Sequence, residues 1–374
     1  MTDGAAKLSQ IYNKPLAAYF KKFTSRDSKK FISSAQWMTE KKGGSDVRAS
    51  TETIAKKENA TWRLYGEKWF TSAITASVAF TLARIEGKDG LSLFFLETKN
   101  KNGKWNNLEI CRLKNKLGTN ALPTAEIKLK GSIAHVIGEY GNGIKKITPL
   151  LNITRLHNSI TACSLGKHLH SLSKSFAQQR LSFGKKLIDH PLHKQSLDEA
   201  ALNNENNFYL TMYAVYLLGL EENKRSTKEQ SQILRLLTPV CKLYTAKKNM
   251  LVASELLESF GGFGYIEDTG IPRIFRDSQV LSIWEGTANI LSLDTLKALN
   301  KDQSFQAFVK EVHNILNFVK NKNKEKEKIL KKLDQLTTIV NKLSSQSLEE
   351  SQLISKKIAF FIAEIIIESF RLRF

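Results

Sequence analysis

Gly138-Glu139-Tyr140-Gly141-Asn142-Gly143 divides the chain into two regimes of periodicity. Before it, runs rich in β-branched and aromatic residues occupy 62–70, 76–84, 91–96, 108–113 and 125–129. Clusters such as Glu86-Gly87-Lys88-Asp89-Gly90 and Lys99-Asn100-Lys101-Asn102-Gly103 separate them. Short apolar runs bounded by turn residues predict an antiparallel sheet or barrel. After the divide, Ile144, Ile147, Leu150, Leu151, Leu156 and Ile160 recur at helical spacing. Ser226-x-x-Glu229 and Ser347-x-x-Glu350 have the form of capping boxes, where a hydroxyl and a carboxyl satisfy two orphan amides at a helix start. Long antiparallel helices are expected up to residue 300, interrupted by a functional loop near 260–286. Further helices are expected over 301–374, joined by the charged stretch 320–328. The fold class is therefore α+β: an antiparallel β-barrel-like middle domain followed by an antiparallel α-helical bundle.

Composition sets wide bounds. The 374 residues are long enough for two or three domains, with 41% apolar and 25% charged residues, as in a soluble globular protein. Lys and Arg total 57 against 36 for Asp and Glu, a net charge of +21, which favours anionic partners such as nucleic acid, an acidic membrane surface or the phosphates of CoA. The excess is diffuse: residues 1–60 hold 12 basic and 6 acidic side chains (+6), and residues 301–374 hold 14 and 9 (+5). No element is marked as a binding face. Cys111, Cys163 and Cys241 lie far apart in sequence without metal or redox spacing, which suits a reducing compartment, cytoplasmic or mitochondrial. The first 31 residues lack the apolar core of a signal peptide, and the apolar run 358–367 is interrupted by Glu364 and too short to span a bilayer. His168-x-His170 and His190-x-x-His193 have metal-like spacing but no cysteine or carboxylate set to complete a site, so no metal is expected.

Three segments carry the chemistry. The first is Trp37-Met38-Thr39-Glu40-Lys41-Lys42-Gly43-Gly44-Ser45-Asp46, and the second is Lys68-Trp69-Phe70-Thr71. The third runs from Phe260-Gly261-Gly262-Phe263-Gly264-Tyr265 to Trp284-Glu285-Gly286-Thr287. Each alone is weak, because glycine pairs and hydroxyl residues punctuate many loops. In this order and spacing, across residues 30 to 300, they resemble the flavin-dependent acyl-CoA dehydrogenases, and most closely their AidB-like branch. The resemblance implies domains at 1–30 (a helical remnant), 31–137 (β-domain), 138–300 (helical bundle) and 301–374 (helical extension). Relatives carry an all-helical domain of over a hundred residues before the strands; here the strand motif begins by Trp37. With the apolar pattern 360–374 at the other end, a truncated gene product, a fragment and one half of a split protein all remain open.

A flavin needs an apolar wall, donors around its ring and either backbone amides or positive charge at its pyrophosphate. Gly43, Gly44 and Ser45 offer close backbone approach and a hydroxyl, suited to a phosphate oxygen. The resemblance implies that Met38 and Thr39 line the isoalloxazine edge, Gly44 and Ser45 meet the pyrophosphate, Trp69 packs on the ring and Thr71 bonds near N5. It further implies that Arg180, Ser182 and Phe183 reach the FAD of a neighbouring subunit, with Gly261 and Gly262 admitting the same cofactor and Thr287 and Asn289 touching its ADP part. Glu258 stands where many relatives have glutamine, and its charge near a pyrophosphate needs an offsetting cation. Glu285 matches the catalytic base, and Arg155 a position at the CoA end of the substrate cleft.

These matches imply an FAD enzyme that dehydrogenates an acyl-CoA to the trans-2-enoyl-CoA. The α proton goes to a base and the β hydride to flavin N5. They also imply a homo-oligomer, dimer or tetramer, and an electron-transfer flavoprotein as acceptor. The alternative is an AidB-like flavoprotein of little dehydrogenase activity that acts as a nucleic-acid or lipid-responsive binding protein; the charge by itself predicts weak, non-specific nucleic-acid binding. A third possibility is an inactive fragment.

Overall fold

A computed structural model describes residues 1–301, 303–320 and 322–373. They form two compact units, Met1–Thr154 and Arg155–Phe374. Phe374, the last residue of the expected apolar tail, lies outside the described residues.

The first unit opens with helices α1 (Thr2–Ile11) and α2 (Asn13–Phe23). Strand β1 (Ser34–Trp37), the one-turn helix α3 (Val47–Ser50) and strands β2 (Ile54–Glu58), β3 (Thr61–Ser72), β4 (Val78–Ile85), β5 (Ser92–Glu97), β6 (Leu108–Leu113) and β7 (Thr124–Val136) follow. The ring β4-β2-β3-β7-β5-β4 closes a five-stranded barrel, with β1 added beside β4 and β6 beside β7. Closure leaves few free edges, so the strands need little protection against pairing with other chains.

Patterning explains which strands face what. In β4 and β5 nearly every residue is buried. Ala79, Ala83, Phe94 and Leu96 fill the barrel, while Val78, Phe80, Leu82, Leu93 and Phe95 pack outside against Ala5, Leu8, Leu16 and Phe23 of the first two helices. Strands covered on both faces read as continuous apolar runs. Most of β7 alternates instead, because its outer face is wet. At Gly66 a Cβ would lie 2.8 Å from Thr53 Cα, so only glycine lets β3 cross the start of β2. Helix α4 (Gly143–Gln179) begins in this unit and continues into the second.

The second unit is helical apart from a small hairpin of β8 (Leu181–Ser182) and β9 (Lys185–Lys186). Its helices are α5 (Pro191–Glu222), α6 (Lys228–Glu258), α7 (Ile271–Val280), α8 (Ala288–Lys301), α9 (Ser304–Asn317), α10 (Asn323–Lys342) and α11 (Leu348–Arg373). Helix α6 is buried almost continuously from Ile233 to Ala246 and shares one core with residues of α5, α8, α9, α10 and α11. The apolar tail thus packs as a core helix: Ile358, Ile362, Ile365, Ile366 and Phe370 are buried in it. No helix among the described residues is long and apolar enough to cross a membrane.

Three details differ from the sequence expectation, the first being that the charged stretch 320–328, expected to join helices, is already helical from Asn323, where α10 begins. Helix α6 is capped by Thr227 with Gln230, one residue beyond the expected Ser226–Glu229 pair. The sequence satisfies the capping pattern in both registers, and Glu229 instead faces Lys310 at 3.5 Å. The Ser347–Glu350 box forms as expected, with bonds of 2.9 and 3.2 Å. The loop expected over 260–286 contains α7, started by Pro272 in its first turn after the left-handed Gly270. Cys163 and Cys241, distant in sequence, meet at the Thr211 hydroxyl (3.3 and 3.7 Å); burial pushes the two thiols up to about 11 and about 12, which keeps them unreactive.

Candidate functional site

In the first unit, the segment after β1 is fixed by a buried ion pair. Lys68 on β3 is fully buried and donates to Glu40 Oε1 at 2.7 Å and to Leu82 O at 3.0 Å. Glu40 also accepts from the Thr53 hydroxyl (2.6 Å) and from the amides of Thr53 (3.2 Å) and Glu52 (2.6 Å). Burial pushes the Glu40 carboxyl up, but Lys68 and these bonds outweigh it and hold the group below its ordinary value. The Trp69 amide donates to Thr39 O at 2.9 Å, so the two flavin motifs are stitched together. Sequence reasoning missed Glu40 and Lys68 as a pair, although both sit inside the quoted motifs.

Around this anchor, Met38 and Thr39 are half-buried, and Met38 packs on the core between the barrel and the first helices. Gly44 and Ser45 are exposed, and a Cβ on Gly44 would meet nothing within 4 Å. Asp46 ends the loop by capping α3, accepting from the Ala49 amide at 3.2 Å. Trp69 is half-buried beneath three cations: Lys114 Nζ lies 3.3 Å, Lys41 Nζ 5.4 Å and the Arg112 guanidinium 6.0 Å from its ring centroid. Glu126, bonded first to Arg112 and also to Lys114, is held down to about 2 and stays ionised. Thr71 is buried, its hydroxyl donating to Ala125 O at 2.6 Å. The expected Met38, Thr39, Trp69 and Thr71 thus cluster at one end of the β1–β3 contact.

The second unit holds two further groups. A cavity of about 650 Å³ is lined by Phe176, Arg180, Ser182, Glu258, Gly261 and Gly262, among others. Arg180 is exposed and forms no ion pair among the described residues. A Cβ on Gly261 or Gly262 would meet nothing within 4 Å, so packing within this chain does not demand bare backbone there. A guanidinium, a hydroxyl and open glycines suit the pyrophosphate of a dinucleotide, with Glu258 opposing it. Phe183 is 96% exposed beside this cavity, at φ +49° in the tight β8–β9 turn. His190 closes that turn, its Nε2 3.0 Å from Ser182 O, and His193 lines the cavity. No group of three potential metal ligands occurs among the described residues.

The other group surrounds Glu285. This residue is half-buried and left-handed at φ +57°, followed by Gly286 at +101°. Arg155 donates from Nε to Glu285 O (3.3 Å) and from its guanidinium to Asp294 (2.7 Å), which Arg235 also holds at 2.6 Å. Burial pushes the Asp294 carboxyl up, but the two guanidinium groups outweigh it and keep the group below its ordinary range. Lys242, buried in α6, donates to Gly286 O at 2.6 Å. Thr287 and Asn289 are exposed at the start of α8. Arg155 and Glu285 are therefore together, whereas the Arg180 cavity gathers a separate set. Lys242 and Asp294 were missed; a lysine in phase with the apolar positions of Pro239-Val240-Cys241-Lys242-Leu243-Tyr244 was the available signal.

Comparison with known proteins places these residues in a family context. Residues 35–132 match the acyl-CoA dehydrogenase middle domain, and residues 141–299 match the acyl-CoA dehydrogenase C-terminal domain. The chain is 42% identical over 387 residues to acyl-CoA dehydrogenase family member 11 of Caenorhabditis elegans, an alignment that covers 98% of this chain and 63% of that protein. It is 35% identical to the putative acyl-CoA dehydrogenase AidB of Escherichia coli K12, covering 71% of this chain and 48% of that one. The crystal structure of Caenorhabditis elegans ACDH-11 in complex with C11-CoA superposes with a TM-score of 0.96 at 40% identity, covering 100% of this chain and 66% of that one. The chain therefore spans between about half and two thirds of the length of these relatives.

Proposed function

The chain belongs to the acyl-CoA dehydrogenase family, and from that premise we propose that it is an FAD-dependent enzyme converting an acyl-CoA to its trans-2-enoyl-CoA. The observation that carries the reading is Glu285. A left-handed backbone costs a glutamate roughly 1–2 kcal/mol and persists only where its surroundings impose it. Here a carboxylate is carried on that strained turn, whose main-chain carbonyls are held by the half-buried Arg155 and the buried Lys242, within the matched C-terminal domain.

In this reading a Glu285 oxygen takes the α proton of the thioester. The α C–H electron pair becomes the new C=C bond as a hydride leaves the β carbon. FAD, when bound, supplies the two-electron acceptor for that hydride. Hydrogen-bond donors at the thioester carbonyl make the α proton acidic enough for a carboxylate to remove. Met38, Thr39, Trp69 and Thr71 would hold the flavin ring, and Gly44 and Ser45 its pyrophosphate. Arg180, Ser182, Phe183, Gly261 and Gly262 would serve the FAD of a second copy, with Thr287 and Asn289 toward ADP. Glu258 tunes that site against Arg180. Arg155 serves the CoA end through the network it shares with Asp294.

A homo-oligomer follows from the same reading. Leu181, Phe183 and Tyr265 are 67%, 96% and 84% exposed in or beside the Arg180 cavity, and large apolar side chains left in water favour a covering partner. Light scattering of the flavin-loaded protein should give a dimer or tetramer; a loaded monomer contradicts it. The acceptor that re-oxidises the flavin would be an electron-transfer flavoprotein.

The activity test starts from the visible spectrum of the purified protein. Anaerobic addition of acyl-CoAs, including the C11-CoA held by the relative of known structure, should bleach the flavin. A yellow protein indifferent to every thioester contradicts the dehydrogenase reading, and a colourless one contradicts FAD binding.

A further inference from the structure

The turn that carries Glu285 is gripped by two helices. From α4, Asn158 Nδ2 donates to Leu281 O at 3.1 Å, Asn158 Oδ1 accepts from the Trp284 ring, and Arg155 Nε donates to Glu285 O at 3.3 Å. From α6, Lys242 Nζ donates to Gly286 O at 2.6 Å. The Lys242 side chain is 0% exposed, yet its hydrogen bond goes to a main-chain carbonyl and not to a carboxylate. Placing a lysine head group there carries a large desolvation cost, so the position has a use that an apolar residue would not meet.

Glu285 and Gly286 are two consecutive left-handed residues, and this conformation sets where the Glu285 side chain leaves the backbone. Gly286 O is the acceptor at the end of that turn, one peptide beyond Glu285, so releasing it would loosen the turn from which the carboxylate projects. On the reading that Glu285 is the base, we propose that Lys242 is its positioning residue: by holding Gly286 O, it fixes the left-handed turn and with it the direction of the carboxylate. Burial pushes the Lys242 ammonium down to about 7, with Glu285 drawing it up and Arg155 pressing it further down. A neutral amine still carries N–H donors, so the grip does not depend on the charge. Asn158 and Arg155 hold other atoms of the same loop from α4, which leaves Gly286 O to Lys242 alone among these three.

The test compares wild type with Lys242→Met, which keeps volume and removes the donor, and Lys242→Gln, which is polar but one bond too short to reach Gly286 O. Hydrogen exchange followed by mass spectrometry on peptides covering 281–290 reads the turn without any catalysis. Lys242→Met should speed exchange at residues 284–287 by about tenfold, the equivalent of one lost hydrogen bond. In FAD-loaded protein it should lower the limiting rate of anaerobic bleaching at saturating C11-CoA by about 10²-fold, the usual scale for a misplaced catalytic group. Flavin content and thioester affinity should stay within about twofold of wild type, a split that general destabilisation would not produce. If Lys242→Met does not fold, the same measurements on Lys242→Gln decide. Unchanged exchange at 284–287 overturns the role, as does a loss confined to flavin content or thioester affinity. Glu285→Gln, measured alongside, separates the two ideas. If it alone abolishes bleaching, Glu285 stands while Lys242 falls; a wild type that no thioester bleaches overturns the Glu285 reading, and exchange still reports the grip.

Discussion

Lys242 is a buried lysine whose chemistry departs far from that of the free side chain. Its proton is held to about 7 instead of the ordinary 10.5, burial being the chief cause. Below pH 7 the folded and unfolded chains both carry the proton, so the burial cost is present in full. Above it the folded state releases the proton while the unfolded chain keeps it until about 10.4. The unfolded state then binds more protons, and this group's contribution to stability rises with pH by up to about 1.4 kcal/mol per unit. Urea unfolding should therefore show the stability of wild type relative to Lys242→Met rising between about pH 7 and about pH 9. A difference equal at both values contradicts the assignment. Glu285 itself was legible only through its neighbours Trp284, Gly286 and Thr287. As one acid of 36 it has no signature, and its left-handed backbone is invisible in sequence. Lys242 had a signal, its place among the apolar positions 239–244, but as one of 57 basic residues it was passed over.

At the scale of elements, the join between β1, β2 and β3 depends on Glu40 and Lys68, whose side chains are 5% and 0% exposed. Breaking a buried pair by removing one partner leaves an uncompensated charge and typically costs about 3–5 kcal/mol. Lys68→Met should lose stability on that scale and loosen the 38–46 loop. Lys68→Met combined with Glu40→Gln should recover much of it, because no buried charge then remains. Chemical denaturation checks both, and a single variant within about 1 kcal/mol of wild type would show that the pair does not anchor the sheet. Strands β3 to β7 were legible because apolar runs end at glycine and asparagine turns. Strand β1, only the four residues Ser34-Ala35-Gln36-Trp37, was reached through the Trp37 motif alone, and β2 was not legible, because Ile54-Ala55-Lys56-Lys57-Glu58 has only two apolar residues. The pairing of β2 with β4 joins distant segments, which no local pattern encodes. Helix α7 escaped because its ten residues lie between turn residues on both sides.

For the whole molecule, the class of fold was readable from the change of period near residue 140. The division at Thr154 was not, since it falls inside α4, where helical spacing continues unbroken. The helices after residue 300 share a core with α5 and α6, a long-range association that periodicity alone does not encode. Net charge acts at this scale as well. A value of +21 without a marked face predicts weak, sequence-indifferent DNA binding by counterion release. Its affinity should fall steeply between low and physiological salt in a retardation assay; salt-independent or sequence-selective binding contradicts that origin. The proposed role of Glu285 as the base in acyl-CoA dehydrogenation joins these scales. Stopped-flow reduction of the FAD-loaded protein by C11-CoA under anaerobic conditions, in wild type and Glu285→Gln, tests it most directly. The account predicts a variant that folds, keeps FAD, binds the thioester and bleaches about 10²–10⁴-fold more slowly; equal rates in the two proteins would contradict it.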